Sequence, residues 1–199
     1  MDERSNNQSK RHVRSFWQRF PEKEELNQYW YSLDTVETLA AEVLDQTSAG
    51  ARCAFLSTPS IYFAVKAKLT ASTRDLYLLD FDDKFATEGA SFVHYDFHQP
   101  EQIPEALHGT MDFVTIDPPF ITKEVWNHYT TAAKLLLKPE SGKILLSTIA
   151  ENESMMLDLL GCRLLPFKPS IPHLVYQYAL FANYESSRLV ESNPELEEA

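Results

Sequence analysis

Phe113-Val114-Thr115-Ile116-Asp117-Pro118-Pro119-Phe120 is the stretch on which the reading of this chain turns. An apolar, β-rich run ends in an acid, two prolines and an aromatic. The prolines fix φ and remove two backbone donors, so the strand stops in a stiff turn with free carbonyls. In an open α/β sheet, ligands bind beyond the carboxyl ends of the strands, which puts this turn where a site is expected. The competing reading is a proline turn that merely ends a strand.

Working outward, similar runs recur at residues 53–57, 76–80, 92–95 and 143–148, most of them continuously apolar, as in strands covered on both faces. Amphipathic stretches fill the gaps. A first helix opens near Ser32 or Asp34 and carries Val36, Leu39, Ala40, Val43 and Leu44 at helical spacing; others follow at 60–69, after Asp82, at 123–137 and at 151–160. Two last runs, 163–167 and 176–183, are joined through prolines and can close the sheet as an edge hairpin. The expectation is an α/β fold, a doubly wound sheet with an antiparallel end. Residues 1–25 read as a polar N-terminal tail relieved by Phe16, Trp17 and Phe20, residues 26–184 as the folded domain, and residues 185–199 as an acidic C-terminal tail.

The chain has 199 residues and is 44% hydrophobic, enough for one sizeable core. Its formal net charge of -11 disfavours nucleic acid as a partner, because phosphate binding draws on clustered Lys and Arg, and favours a basic protein surface. The exception is Lys10-Arg11-His12-Val13-Arg14, which also reads as a solvated tail. Cys53 and Cys162 have neither metal-site nor disulfide spacing and read as buried thiols. No apolar run approaches the roughly 18 residues that span a bilayer. A cytoplasmic, monomeric protein without metal is expected.

The other strand ends are also acidic. Asp80 or Asp82 lies where a ribose-binding acid is expected in a nucleoside fold, Asp96 can accept from an adenine amino group, and Phe97 can offer an aromatic face. At the turn, an amino nitrogen can donate to the Asp117 carboxylate and the Pro118 carbonyl, which aims its lone pair at an electrophilic carbon, while Pro119 stiffens the corner and Phe120 stacks on a flat base or faces a cation. Each aspartate taken alone reads equally as a cap or a solvated loop residue. His94-Tyr95-Asp96 matches two ligands of an iron facial triad, with His128 or His173 as a third, although such sites need a jelly roll and these strands alternate with helices.

Taken together, Gln28-Tyr29-Trp30-Tyr31-Ser32, Thr58-Pro59-Ser60-Ile61-Tyr62, residues 80–85, Tyr95-Asp96-Phe97, Asp117-Pro118-Pro119-Phe120 and the closing Asn183-Tyr184 resemble the eukaryotic lysine methyltransferases of translation elongation factor 1-alpha, a family once described as N6-adenine DNA methyltransferase-like. The resemblance implies a Rossmann-like class I fold with a mostly parallel seven-stranded sheet, an antiparallel closing strand and helices on both faces. It also implies S-adenosyl-L-methionine as cofactor, and elongation factor 1-alpha as protein substrate. By resemblance, the cofactor pocket draws on Tyr31, Thr35, Thr58, Pro59, Ser60, Asp80, Asp82, Asp96, Phe97 and Asp117, and the catalytic turn is Asp117 to Phe120. The usual Gly-rich turn after the first strand is replaced by Ser57-Thr58-Pro59-Ser60. Adenine-N6 methylation of DNA or RNA, and an inactive Rossmann-like interaction module, stay open as alternatives. The segment 168–173 reads equally as a substrate lip and as a hairpin link.

Overall fold

The computed structural model describes residues 14–69 and 73–196; most of the basic cluster, residues 10–13, lies outside them. The apolar runs become β1 (Arg52–Leu56), β2 (Asp75–Asp80), β3 (Phe92–His94), β4 (Phe113–Ile116), β5 (Lys143–Ile149), β6 (Arg163–Leu164) and β7 (Tyr178–Ala182). They form one sheet in the order β3-β2-β1-β4-β5-β7-β6, parallel from β3 through β5, with β7 antiparallel to both β5 and β6. This is the expected mostly parallel sheet with an antiparallel end. The edge strand β6 is shorter than its apolar run because Pro166 has no N–H to donate after Leu165 has bonded to Leu180 O at 2.9 Å.

Helices α1 (residues 14–19), α2 (Leu33–Gln46), α3 (Pro59–Lys68), α4 (Lys123–Leu136) and α5 (Glu153–Leu160) cover the sheet. Ser32, not Asp34, caps α2: its Oγ accepts from Thr35 N at 3.2 Å. Pro59 opens α3, where its missing N–H costs nothing. Along β1 the pleat sends Phe55 into one core, with Val36, Leu39, Tyr62 and Val65 of α2 and α3, and Leu56 into the other, with Trp126, Tyr129 and Leu136 of α4.

Both expected tails need amending. Phe16 and Phe20 are buried against Trp30 and Phe63, with ring centroids 5.3 Å apart in the Phe16–Trp30 and Phe20–Phe63 pairs. Burying each phenyl ring is worth roughly 1.5–3 kcal/mol, enough to dock a short helix of otherwise polar composition. At the other end Leu189 is fully buried, and Glu195 Oε2 accepts from Ser32 Oγ at 2.6 Å and Thr35 Oγ1 at 3.1 Å. Among the described residues, no helix is long and apolar enough to cross a membrane.

Candidate active site

A cavity of about 330 Å³ opens at the carboxyl ends of β1, β2, β3 and β4. The strand order reverses direction between β1 and β4, and the two crossovers diverge there to opposite faces. Four strand ends and two long segments build its walls.

At the end of β1, Ser57 takes φ 56°, the left-handed conformation that a glycine adopts without strain. Its Oγ lies 2.7 Å from Tyr129 OH of α4, a bond that offsets part of that strain. The absence of a Gly-rich turn is thus met by a serine in a glycine conformation. Thr58, Pro59 and Ser60 line the cavity as α3 begins, where the first N–H groups have no partner within the helix.

Asp80, at the end of β2, lines the cavity and is 6% exposed. One oxygen accepts from Asp82 N at 2.9 Å, and burial pushes its carboxyl up to about 7. Asp82 is equally buried but does not line the cavity: it lies 3.0 Å from both Lys23 Nζ and Lys84 Nζ. Burial by itself would raise Asp82, yet the bonds from Lys23 and Lys84 hold it below the usual carboxylate range. Of the two candidate acids, only Asp80 is on the wall.

After β3, Asp96 and Phe97 both reach the cavity. The Asp96 carboxylate accepts from His98 N at 3.0 Å, meets His98 Nδ1 at 2.8 Å and takes Gln99 Nε2 at 3.3 Å, and the His98 backbone bond leads in holding its pKa low. A carboxylate offers about four acceptor positions, so capacity remains for a ligand amino group. His94 turns instead to Asp83, 2.9 Å away. Among the described residues no three His, Cys, Asp or Glu side chains are placed to hold a metal ion.

At the end of β4 stands the diproline turn. Asp117 Oδ2 accepts from Tyr31 OH at 2.7 Å, and the same hydroxyl lies 2.7 Å from Ser147 Oγ of β5. Burial pushes the Asp117 carboxyl up to about 6, with the bonds from Tyr31 and Ser147 acting the other way. Pro118 and Pro119 are both on the wall, but their carbonyls differ. Asn27, itself left-handed at φ 52°, donates its side-chain amide to Pro119 O, whereas no described group donates to Pro118 O. The turn therefore brings to the cavity wall the Asp117 carboxylate and Pro118, whose carbonyl accepts from no described group. Phe120 is 50% exposed at the rim.

Two segments complete the walls. Residues 25–31 cross the cavity as a strap, moored where Gln28 meets both Asp82 and Lys84, the latter at 3.0 Å. From the other side come Ile171, Leu174 and Tyr178, so the segment after Lys168 is a lip as well as a link. Thr35 lies elsewhere. Its hydroxyl is committed to Glu195, Ser170 N and Asn193 on the far side of the α2 start, which removes it from the pocket that the resemblance implied. Ser147 had a legible signal, a polar residue within the apolar run of β5. Tyr129 did not, because its helix reads simply as core cover.

The sequence matches the family described as "Probable N6-adenine methyltransferase" over residues 22–186. It is 38% identical over 170 residues to EEF1A lysine methyltransferase 1 of Danio rerio, covering 82% of this chain and 99% of that protein. The protein of the same name in Homo sapiens is 32% identical over 164 residues, covering 81% and 75%. A protein-lysine N-methyltransferase of Saccharomyces cerevisiae is 29% identical over 184 residues, covering 84% and 74%. Among solved structures, the branched-chain polyamine synthase of Thermus thermophilus, crystallised with N4-aminopropylspermidine and 5'-methylthioadenosine, aligns with a TM-score of 0.62 at 14% identity over 92% of this chain and 68% of that one. A Pyrococcus horikoshii protein assigned as an RNA methyltransferase aligns at 0.53 with 17% identity, over 81% and 89%. These last two share the class I Rossmann-like fold.

Proposed function

Since the chain belongs to the N6-adenine-methyltransferase-like family whose curated relatives are named EEF1A lysine methyltransferases, we propose that it is an S-adenosylmethionine-dependent protein-lysine N-methyltransferase acting on translation elongation factor 1-alpha. The observation that carries this reading is the pairing, in one cavity, of a nucleoside-type wall with a rigid corner of oxygen acceptors. A cytoplasmic location and a monomeric state go with it.

The cavity fits the cofactor by the chemistry of its donors and acceptors. Asp80 presents a buried carboxylate with no lysine in bonding contact, suited to two ribose hydroxyls. Asp96 would accept from an adenine amino group, and Phe81 and Phe97 would offer aromatic faces to the base, all three lining the cavity. The Thr58 to Ser60 turn brings free N–H groups at the start of α3, suited to an amino-acid carboxylate. When bound, S-adenosylmethionine supplies a methyl group on a cationic sulfur.

On the acceptor side, Asp117 and the Pro118 carbonyl orient an incoming amine by accepting its N–H groups. A lysine costs roughly 4–5 kcal/mol to deprotonate at pH 7, and only the neutral amine attacks. Ile171, Leu174, Tyr178 and Phe120 sheath its apolar stem, and the low polarity that they impose disfavours the ammonium. Tyr31 matters here because its hydrogen bond takes up part of the Asp117 charge, weakening the carboxylate's hold on a cation.

The test is labelled methyl transfer into purified elongation factor 1-alpha, with an adenine-bearing oligonucleotide in parallel. Label in one lysine of the protein is expected, and Asp117→Ala should lower kcat by roughly 10²–10⁴-fold with the fold retained. Label in the oligonucleotide alone would replace lysine by adenine, and full activity of Asp117→Ala would remove the acceptor role.

A further inference from the structure

Between β6 and β7 the chain leaves the sheet over residues 165–177 and returns past the cavity mouth. This excursion is pinned at several points. Gln177 Nε2 donates to Pro169 O at 2.9 Å and closes its neck. Ser32 N donates to Ser170 O at 2.8 Å, and Ser170 N to Thr35 Oγ1 at 3.0 Å, which ties it to α2. His173 Nδ1 meets Glu22 Oε2 at 2.6 Å, and the other oxygen of Glu22 accepts from Trp30 N of the strap at 2.7 Å.

The inward side of the excursion supplies Ile171 and Leu174 to the cavity. Its tip does the opposite: Val175 is 90% exposed and Tyr176 65% exposed. Single exposed apolar residues are ordinary, but these two are adjacent and directly follow Leu174, which lines the cavity together with the half-exposed Phe120. The methyl-transfer chemistry uses neither of them. The strap adds the carboxylate of Glu25, which lines the cavity, and Glu24 just before it is exposed, within a chain of net charge -11. An exposed apolar tip on a chain of net charge -11 suits a partner surface that is partly apolar and partly basic, and such a chain repels a phosphate backbone.

We propose that Val175 and Tyr176 form a docking contact for a folded, basic protein substrate, seating its surface on the rim so that one lysine enters between Leu174 and Phe120. This rests on the protein-lysine reading and adds to it a recognition surface outside the catalytic cavity. Specificity then comes from a folded surface in addition to the lysine side chain.

The experiment compares the wild-type protein with the double variant Val175→Ser, Tyr176→Ser on three readouts: steady-state methylation of folded elongation factor 1-alpha, methylation of a short lysine peptide cut from it, and S-adenosylmethionine affinity by calorimetry. For the folded substrate, KM is expected to rise at least about tenfold with kcat within about twofold, as when an interface anchor is lost. Peptide KM and cofactor affinity should stay unchanged, the latter also certifying the fold. An unchanged KM on folded substrate overturns the docking contact, and an equal loss on the peptide reduces the loop to a wall of the lysine channel. If the wild-type protein labels an adenine oligonucleotide and no protein, the protein-lysine reading falls and the proposal with it. Wild-type activity on protein alongside an indifferent variant removes only the docking surface.

Discussion

Asp80 and Asp82 are two residues apart, chemically identical and equally buried, yet they serve opposite ends. Asp82 belongs to the mooring of the strap, where Lys23 and Lys84 compensate its charge and hold its carboxyl low. Asp80 belongs to the cavity wall. With no lysine in contact, burial pushes its carboxyl up to about 7. The difference teaches where to look for a ligand: a compensated buried acid is already spent on structure, whereas an uncompensated one is stable only if something arrives to meet it.

The sharpest way to break this distinction is to remove each acid in turn and titrate S-adenosylmethionine calorimetrically. Asp80→Asn should weaken binding by about 10–100-fold, the loss of a charged hydrogen-bonding partner. Asp82→Asn should cost several-fold at most, through a looser strap. Equal losses would mean that the wall and the mooring act as one unit.

Stability should move in opposite directions. Losing the shared partner of Lys23 and Lys84 should destabilise Asp82→Asn by about 1–2 kcal/mol at pH 7, moderated because Lys23 is 36% exposed. The folded carboxyl of Asp80 titrates above its unfolded value of 3.8, so the folded state holds the proton more tightly and wild-type stability falls as pH rises from about 4 through 7. Asp80→Asn lacks that fall. In urea denaturation it should exceed wild type by on the order of 1–3 kcal/mol above pH 7, and the gap should close toward pH 4. A gap independent of pH would locate its cause outside Asp80 ionisation.

The smallest effect concerns Asp117, which is intermediate between the two cases. It is buried and raised to about 6, but restrained by Tyr31 and Ser147, which are neutral partners instead of cations. Tyr31→Phe removes a bond that lowers its pKa, so a carbon-13 NMR titration of the Asp117 carboxyl should show the midpoint moving higher. An unmoved midpoint would leave Tyr31 as a packing residue only.

Much of the fold was legible because local rules and the global fold agree. The continuous apolar runs of β1, β4 and β5 demand cover on both faces, and Pro118-Pro119 stops β4 wherever it lies. The candidate site was legible as a set of strand ends. Asp80, Asp96 and Asp117 follow from position alone, since parallel strands deliver their carboxyl ends to one edge. Partners were not legible. Thr35 sits in the first turn of the helix that follows the strap, yet its hydroxyl bonds to Glu195, whose position 160 residues later nothing local announces. Phe16, Phe20 and Leu189 were hidden by the polar composition around them.

The sequence by itself determined the order of the elements, the acidic strand ends and the stiff corner at Asp117-Pro118-Pro119-Phe120, because each depends on near neighbours and on backbone stereochemistry. Only the tertiary structure decided which of two aspartates is paired with lysines, which proline carbonyl takes the Asn27 amide, and that Phe16 and Glu195 meet Trp30 and Ser32 just before α2. Those outcomes depend on Lys23, Asn27 and Glu195, each brought from a distant position, and electrostatic and hydrogen-bond energies depend on distance in space, to which separation along the chain is indifferent.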